Sequence, residues 1–455
     1  RSDSTDGRRM VLPRRVAPAL VAVGAAVTGF LTVAALLAQP GPPPPVVTEA
    51  IRAAFARPTS VPHPADNQPT AERIALGARL FADPRLSENG RIACASCHDP
   101  LLGFADGQRL SRAGATGAEL RRHTPALWNL AWAPALYWDG RAASLEDQAR
   151  FPLSHPDEMA STPEAAARRL GHDAGMVAAF ARAFPGTAGI TGEQVLRAIA
   201  AFERTLVSPP TAFDRWIAGD DSALAEDARR GFRLFTGRAG CVRCHSGFAF
   251  TDHAFHDIGL PGADPGRGAI IGLAAANHGF KTPGLREIAW TAPYMHDGSL
   301  QTLEDVVRHY ESGGVARPTR SRDMPAPFSL TDEERSDLVA FLDVLSSDRP
   351  PAPSREAWVG RPEPPAATPL VSTSRVSQRD KAFAPAAIRV RLGDTITILN
   401  DDTRTHNVHI ASPTLSFSSG AQDPGEHVSL RLDVRGRFEA HCGIHPTMRL
   451  RIEVE

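Results

Sequence analysis

The sequence predicts a multidomain chain: two mainly α-helical domains related by internal duplication, then an all-β sandwich. Three observations carry this. A Cys-x-x-Cys-His motif occurs twice, as Cys94–His98 and Cys241–His245. The segments that follow align without a gap at a constant offset of 158: Thr124-Pro-Ala-Leu-Trp128 falls on Thr282-Pro-Gly-Leu-Arg286, and Trp138-Asp-Gly-Arg141 on His296-Asp-Gly-Ser299. Beyond residue 370 the apolar spacing changes from helical to alternating.

The chain has 455 residues, a formal net charge of −1 and 22% charged residues, a balance that does not suggest a nucleic-acid binder. Four of its five cysteines lie in the two motifs and the fifth is Cys442, so no structural disulfide is expected. At the N-terminus, Val16–Ala38 is apolar and uncharged, preceded by Arg8, Arg9, Arg14 and Arg15 and followed by the proline-rich stretch Gln39–Pro45. This pattern reads as a hydrophobic helix, either a membrane anchor or a signal peptide cleaved near Ala35 or Ala38, that sends the rest of the chain across a membrane. Residues 1–50 are assigned to it.

Residues 51–210 form the first helical domain. Leu76–Phe81 is a helical approach to the first motif, and Arg79-Leu-Phe81 is repeated as Arg233-Leu-Phe235 before the second. Ser144-x-x-Asp147 and Thr302-x-x-Asp305 are capping-box patterns that start a helix at the same place in each repeat. Val195, Ile199, Phe202 and Leu206 share a helical face. Ser208-Pro-Pro210 marks the boundary with the second domain, 211–349, whose last helix begins at Thr331-x-x-Glu334 and buries Leu338, Phe341, Leu342 and Leu345. A stiff Pro/Ala-rich linker, 350–372, leads to the sandwich, 373–455. There Ile388, Val390 and Leu392, Ile396 and Ile398, Val428 to Val434, and Met448 to Val454 alternate with polar residues.

Cys-x-x-Cys-His is the attachment signature of c-type haem: the thiols add to the vinyl groups and the histidine ligates the iron. A redox-active thiol pair does not need the histidine, and zinc would need further cysteines. Two haems are therefore expected, held by Cys94, Cys97 and His98 and by Cys241, Cys244 and His245. In bacteria such attachment takes place outside the cytoplasmic membrane, which agrees with an exported, periplasmic or membrane-tethered chain.

In the β-domain, Cys442-Gly-Ile-His445-Pro-Thr-Met448 and a distant His406 supply a thiolate, two imidazoles and a thioether, the ligand set of type 1 copper. His409 would then be a neighbour of the site. Zinc or a free thiol is the alternative. The short Cys-x-x-His-x-x-Met loop resembles that of the cupredoxins, the amicyanin type above all, which implies a one-electron carrier.

From about residue 70 to 345, the two haem motifs, the duplication and Trp138-Asp-Gly-Arg141 resemble the bacterial di-haem cytochrome c peroxidases, including the MauG-like branch. The resemblance implies that peroxide reacts at the N-terminal haem, with His98 as proximal ligand, Trp138 between the haems, and Gln148 and Glu158 over the open face. Moving a proton between the peroxide oxygens suits Glu158 if burial raises its pKa; without the resemblance it would read as a surface carboxylate. On the second haem, opposite His245, the resemblance favours Tyr310, fourteen residues past His296, over Met295 as distal ligand. A core aromatic at a helix end is the plain alternative for Tyr310.

Two departures stand out. Gly103–Arg122 lacks the histidine that standard members carry there, so the first haem is expected to be open. His123 replaces an asparagine of the family's calcium site, to which Thr291 and Pro293 correspond; imidazole is a poor ligand for a hard cation, which puts calcium in doubt. Ligation of iron by His123 is the weaker reading of that residue. The leading expectation is a di-haem peroxidase that reduces hydrogen peroxide with electrons passed from a small redox protein or the quinol chain, through copper and the second haem. The alternatives are a MauG-like oxidase acting on a side chain of a partner protein, and a non-catalytic electron-transfer or redox-sensing protein. Dimers are common in the family, and a homodimer is the corresponding expectation.

Overall fold

The computed structural model describes residues 47–348 and 369–455, except Pro413, Pro446 and Thr447. The apolar stretch Val16–Ala38 and linker residues 350–368 lie outside the described residues. Among those described, no helix is long and apolar enough to cross a membrane.

The helical part contains α1 (Glu49–Phe55), α2 (Ala71–Phe81), α3 (Leu145–Ser154), α4 (Pro163–Leu170), α5 (Ala174–Ala183), α6 (Gly192–Glu203), α7 (Ala212–Ile217), α8 (Glu226–Thr236), α9 (Arg267–Ile271), α10 (Leu303–Ser312) and α11 (Asp332–Asp343). A short ribbon pairs β1 (Phe255–His256) with β2 (Phe280–Lys281). Helices α3 and α10 begin where the capping patterns place them: the Ser144 and Thr302 side chains accept from the amides of Asp147 and Asp305. Leu206 and Leu345 differ from expectation. Both are buried, but each lies past the end of its helix, so the apolar face continues into the following turn.

The duplication is visible in the backbone. Asn129 and Glu287, and Tyr137 and Met295, are repeat mates that share left-handed φ angles of 60° and 62°, and 69° and 76°. The small bridges Leu136–Ala142 and Tyr294–Leu300 are mates as well. In each half a glycine lets two helices touch. A Cβ on Gly77 of α2 would lie 1.9 Å from the Ala198 carbonyl oxygen of α6, and one on Gly231 of α8 would lie 2.0 Å from that of Asp337 in α11. The halves meet through reciprocal hydrogen bonds. The His123 amide donates to the His296 carbonyl (2.8 Å) and the Lys281 amide to the Trp138 carbonyl (2.8 Å); the two donors are repeat mates, and so are the two acceptors.

Packing does not follow the expected division at Ser208–Pro210 in one respect. Phe55 of α1, early in the chain, inserts into the aromatic core of the second half, with ring centroids 5.7 Å from Phe213 and 5.1 Å from Phe250. An apolar ring goes to the core that has room for it, whatever the chain order.

The C-terminal part is a two-sheet sandwich of β3 (Val371–Ser372), β4 (Arg375–Arg379), β5 (Ala382–Ala384), β6 (Ala387–Val390), β7 (Thr395–Asn400), β8 (His409–Ala411), β9 (Ser416–Ser418), β10 (His427–Arg431), β11 (Gly436–His441) and β12 (Arg449–Val454). One sheet runs β10-β7-β4-β5 and the other β3-β6-β12-β11-β8-β9. Ile388, Val390, Ile396, Ile398, Leu450, Ile452 and Val454 face inward as the alternation predicts. Leu392 does not; it lies in the turn after β6 and is exposed. Ile271, Leu273 and Ala276, from α9 and the turn after it, pack into this sandwich core, so the haem-type and β parts share apolar contacts.

Candidate haem and copper centres

Both Cys-x-x-Cys-His motifs line one apolar-walled cavity of about 720 Å³. Each begins with a 3-10 turn, Cys94–Ser96 and Cys241–Arg243, which brings the two thiols and the histidine to the same wall. His98 Nδ1 lies 2.8 Å from the Phe104 carbonyl and His245 Nδ1 2.9 Å from that of Phe250. Phe104 and Phe250 both have left-handed φ, which turns their carbonyls toward the rings. Donation from Nδ1 makes Nε2 the lone-pair nitrogen of each ring, as an axial ligand requires. Burial lowers both imidazole pKa values and keeps the rings neutral. Two thiols, one oriented imidazole and an apolar cavity form, in each half, a donor set that fits a covalently attached haem.

Trp138 lies where the halves meet, its Nε1 donating to the His123 carbonyl (2.9 Å). Gln148 and Glu158 line the same cavity, on α3 and the loop that follows. Burial raises the pKa of Glu158, opposed by His155 and Arg141. Tyr310, in the last turn of α10, also lines the cavity; burial and then the nearby Cys244 and Cys241 raise its phenol pKa. Met295 reaches the cavity wall too. Thr291 and Pro293 line it, but the Thr291 hydroxyl donates to the Ile288 carbonyl in its own turn (3.1 Å). His123 is buried, with Nδ1 on the Gln108 carbonyl (2.8 Å).

Sequence reasoning missed several residues. Gln148 Nε2 donates to the Tyr137 hydroxyl (3.3 Å), and the Arg141 guanidinium covers the Tyr137 ring at 4.0 Å. The repeat that brings Met295 into question puts Tyr137 in register with it, so the signal was available. Glu203, at the end of α6, is a buried carboxyl on the wall near Cys94. His296, the repeat mate of Trp138, stacks on Phe280 at 3.5 Å between centroids.

In the sandwich, His406 Nδ1 lies 3.8 Å from Cys442 Sγ and 3.0 Å from His445 Nδ1, and the two atoms of Cys442 and His445 are 3.7 Å apart. All three residues are buried. A triangle with these edges fits one transition-metal ion at bond lengths of about 2.0–2.3 Å. Met448 is buried beside it, its amide donating to the His445 carbonyl (2.9 Å). His406 Nε2 lies 3.1 Å from Asp402, which orients the ring as an outer-shell carboxylate does for a metal ligand. The amide of Gly443 donates to Asn407 Oδ1 (2.6 Å) and ties the two ligand loops together. His409 is turned away and packs its ring on that of His441 (5.1 Å).

This cluster faces the second haem-type half. Arg267 Nε donates to the Gly443 carbonyl (2.7 Å), while its Nη1 reaches the carbonyls of Gly140 (2.8 Å) and Asp139 (3.1 Å), next to Trp138. The Phe255 amide donates to the Ile444 carbonyl (3.1 Å). No local pattern foretold Arg267, because its partners lie 127 and 176 residues away.

Residues 71–222 match the di-haem cytochrome c peroxidase family and residues 228–346 the cytochrome c family. The methylamine utilization protein MauG of Methylorubrum extorquens is 50% identical over 303 residues, 66% of this chain and 85% of that one. The cytochrome c551 peroxidase of Nitrosomonas europaea is 37% identical over 288 residues, 62% of this chain and 81% of its own. The crystal structure of a MauG-like protein associated with microbial copper homeostasis aligns with 66% of this chain and 97% of its own, at 33% identity and a TM-score of 0.62. The chain therefore belongs to the family of di-haem cytochrome c peroxidases and MauG-like proteins, peroxidase-like oxidoreductases with two c-type haems, and carries a two-sheet β-sandwich after its haem halves.

Proposed function

We propose that this protein reduces hydrogen peroxide to water, taking up two electrons and two protons per peroxide. The electrons come from a small redox protein or the quinol chain and enter through copper held by His406, Cys442, His445 and Met448. The observation that carries this reading is the docking of the Cys442–His445 loop against the second haem half, through Arg267 and Phe255. When bound, the haems supply peroxide O–O cleavage and the copper supplies single-electron transfer.

The chain's own residues would divide the remaining work. Cys94, Cys97 and His98 would hold the first haem; Cys241, Cys244 and His245 would hold the second, with Tyr310 as its further ligand and Met295 as the alternative. Glu158, its pKa raised by burial, is the group suited to carry a proton between the peroxide oxygens. Gln148, held by the Tyr137 hydroxyl, orients the peroxide. Trp138 bridges the halves. A histidine at 123, in place of an oxygen ligand, weighs against calcium. The expected setting is outside the cytoplasmic membrane.

A MauG-like oxidase acting on a partner protein is the second reading. It is favoured by Tyr310 on the cavity wall and by the 50% identity to MauG. Stopped-flow absorbance on the fully loaded chain separates the two, starting from the fully reduced chain and adding a small excess of peroxide. Appearance of the blue copper band as peroxide is consumed supports the relay; copper that stays reduced while a long-lived oxidised haem species accumulates supports the second reading. Glu158→Gln should lower the rate of peroxide consumption about 10²–10⁴-fold. An unchanged rate would take Glu158 out of the proton transfer, and a wild type that consumes no peroxide would leave only a non-catalytic electron-transfer role.

A further inference from the structure

We infer that His256 is the positioning residue that joins the copper cluster to the second haem. The inference rests on the relay reading and names the side chain through which the relay passes. His445 is only 3% exposed, and its ring meets that of His256 edge-on, 6.3 Å away between centroids and inclined at 62°. His256, in β1, is 4% exposed and fixed on both nitrogens, by Asp252 Oδ2 at 3.0 Å and Ser321 Oγ at 2.9 Å. A ring nitrogen of His256, a carboxylate oxygen of Asp252 and Cys244 Sγ all lie within 4.8 Å of one another.

Those three atoms could be read as a further metal site. Haem attachment excludes it: the Cys244 sulfur becomes a thioether, which leaves one imidazole and one carboxylate. The same thioether makes the sulfur part of the haem edge. The ring of His445, the ring of His256 and the sulfur of Cys244 are then successive neighbours between a copper ligand and the haem's covalent link. Electron tunnelling falls steeply with each gap, and this path has a ring where a gap would otherwise be.

A second observation is independent of ring packing. The β4–β5 hairpin turns at Asp380 and Lys381, both in left-handed conformation (φ 53° and 57°), as a two-residue hairpin turn with twist-matched strands requires. The turn delivers Lys381 Nζ to Asp252 (2.7 Å), to Asp323 (3.2 Å) and to the carbonyl of Arg243, inside the second haem motif (3.2 Å). Asp323 also binds Arg404, which binds Asp402 (3.0 Å), the partner of His406. One copper histidine packs on His256; the other is tied to it through Asp402, Arg404, Asp323, Lys381 and Asp252.

In the step assigned to this junction, one electron leaves copper(I), giving copper(II), and reduces the second haem from ferric to ferrous; no atom or proton moves. The test uses the full-length, fully metallated chain. Copper is photoreduced in the presence of ferric haem, and the concentration-independent transfer is followed by transient absorption. His256→Leu should slow it about tenfold or more, the scale of loss when reacting groups are mispositioned, with copper and haem spectra and both reduction potentials unchanged. His256→Phe, which restores a ring, should recover most of the rate. Lys381→Met, which replaces no haem or copper ligand, should also slow transfer and make it viscosity-dependent. A His256→Leu rate within twofold of wild type overturns the inference and leaves the relay standing. Should that variant lose its cofactors, an unaltered rate in Lys381→Met overturns it instead. Absence of transfer in the wild type sinks the relay itself.

Discussion

Glu203 is a buried carboxyl whose Oε2 has no hydrogen-bond partner among the described residues. Burial pushes its pKa from 4.5 up to about 8; Arg204 opposes the rise and Glu146 adds to it. The folded state therefore holds this proton more tightly than the unfolded chain does. The resulting stability is complete below pH 4.5 and is lost as pH rises toward 8. A shift of this size corresponds to about 4–5 kcal/mol at most. Glu203→Gln should flatten the pH dependence of thermal stability between pH 5 and 8, and parallel wild-type and variant curves would refute this. Glu203 was not legible in the sequence, because a carboxylate at a helix end looks solvated until the fold shows a wall around it. Glu158 was legible only through the family pattern. The haem and copper ligands stood out because their chemistry needs fixed spacing along the chain.

At the scale of elements, the duplicated halves use the same contact twice. Gly77 and Gly231 occupy equivalent places in α2 and α8, and each meets a backbone carbonyl of the crossing helix. Backbone cannot step aside as a side chain can. Gly231→Ala should therefore destabilise the second half by about 1–3 kcal/mol or more, measured by chemical denaturation. A change below about 0.5 kcal/mol would mean that the helices separate freely. Helix starts and inward-facing strands were legible because caps and alternation are local signals. The ends were less so. Leu206 and Leu345 continue an apolar face after the helix has stopped, and Leu392 sits where alternation runs on into a turn. Nothing in the repeat warned that Phe55 would cross to the other half, because core membership depends on space rather than on order.

For the molecule as a whole, the junction between the sandwich and the second haem half depends on buried charge. Asp323 is 1% exposed at its side chain and is neutralised by Arg404 and Lys381, both contributed by the sandwich. Removing Arg404 leaves Asp323 with Lys381 alone and takes away a charged hydrogen-bond partner. Arg404→Ala should cost about 1.5–3 kcal/mol and resolve a single calorimetric unfolding transition into two. A single unshifted transition would show that the apolar contacts of Ile271, Leu273 and Ala276 hold the junction unaided. The sequence could suggest a tether at 350–372 but not this docked face, since every contact across it joins residues far apart in the chain. The same face bears on the order of assembly. His406, Cys442 and His445 are at most 3% exposed once the parts are joined. Copper has to be seated before the face closes, or wait for it to open. A chelator would then remove the metal no faster than the sandwich lifts away, so the lifetime of the loaded protein is set by a protein motion rather than by the strength of the metal bonds.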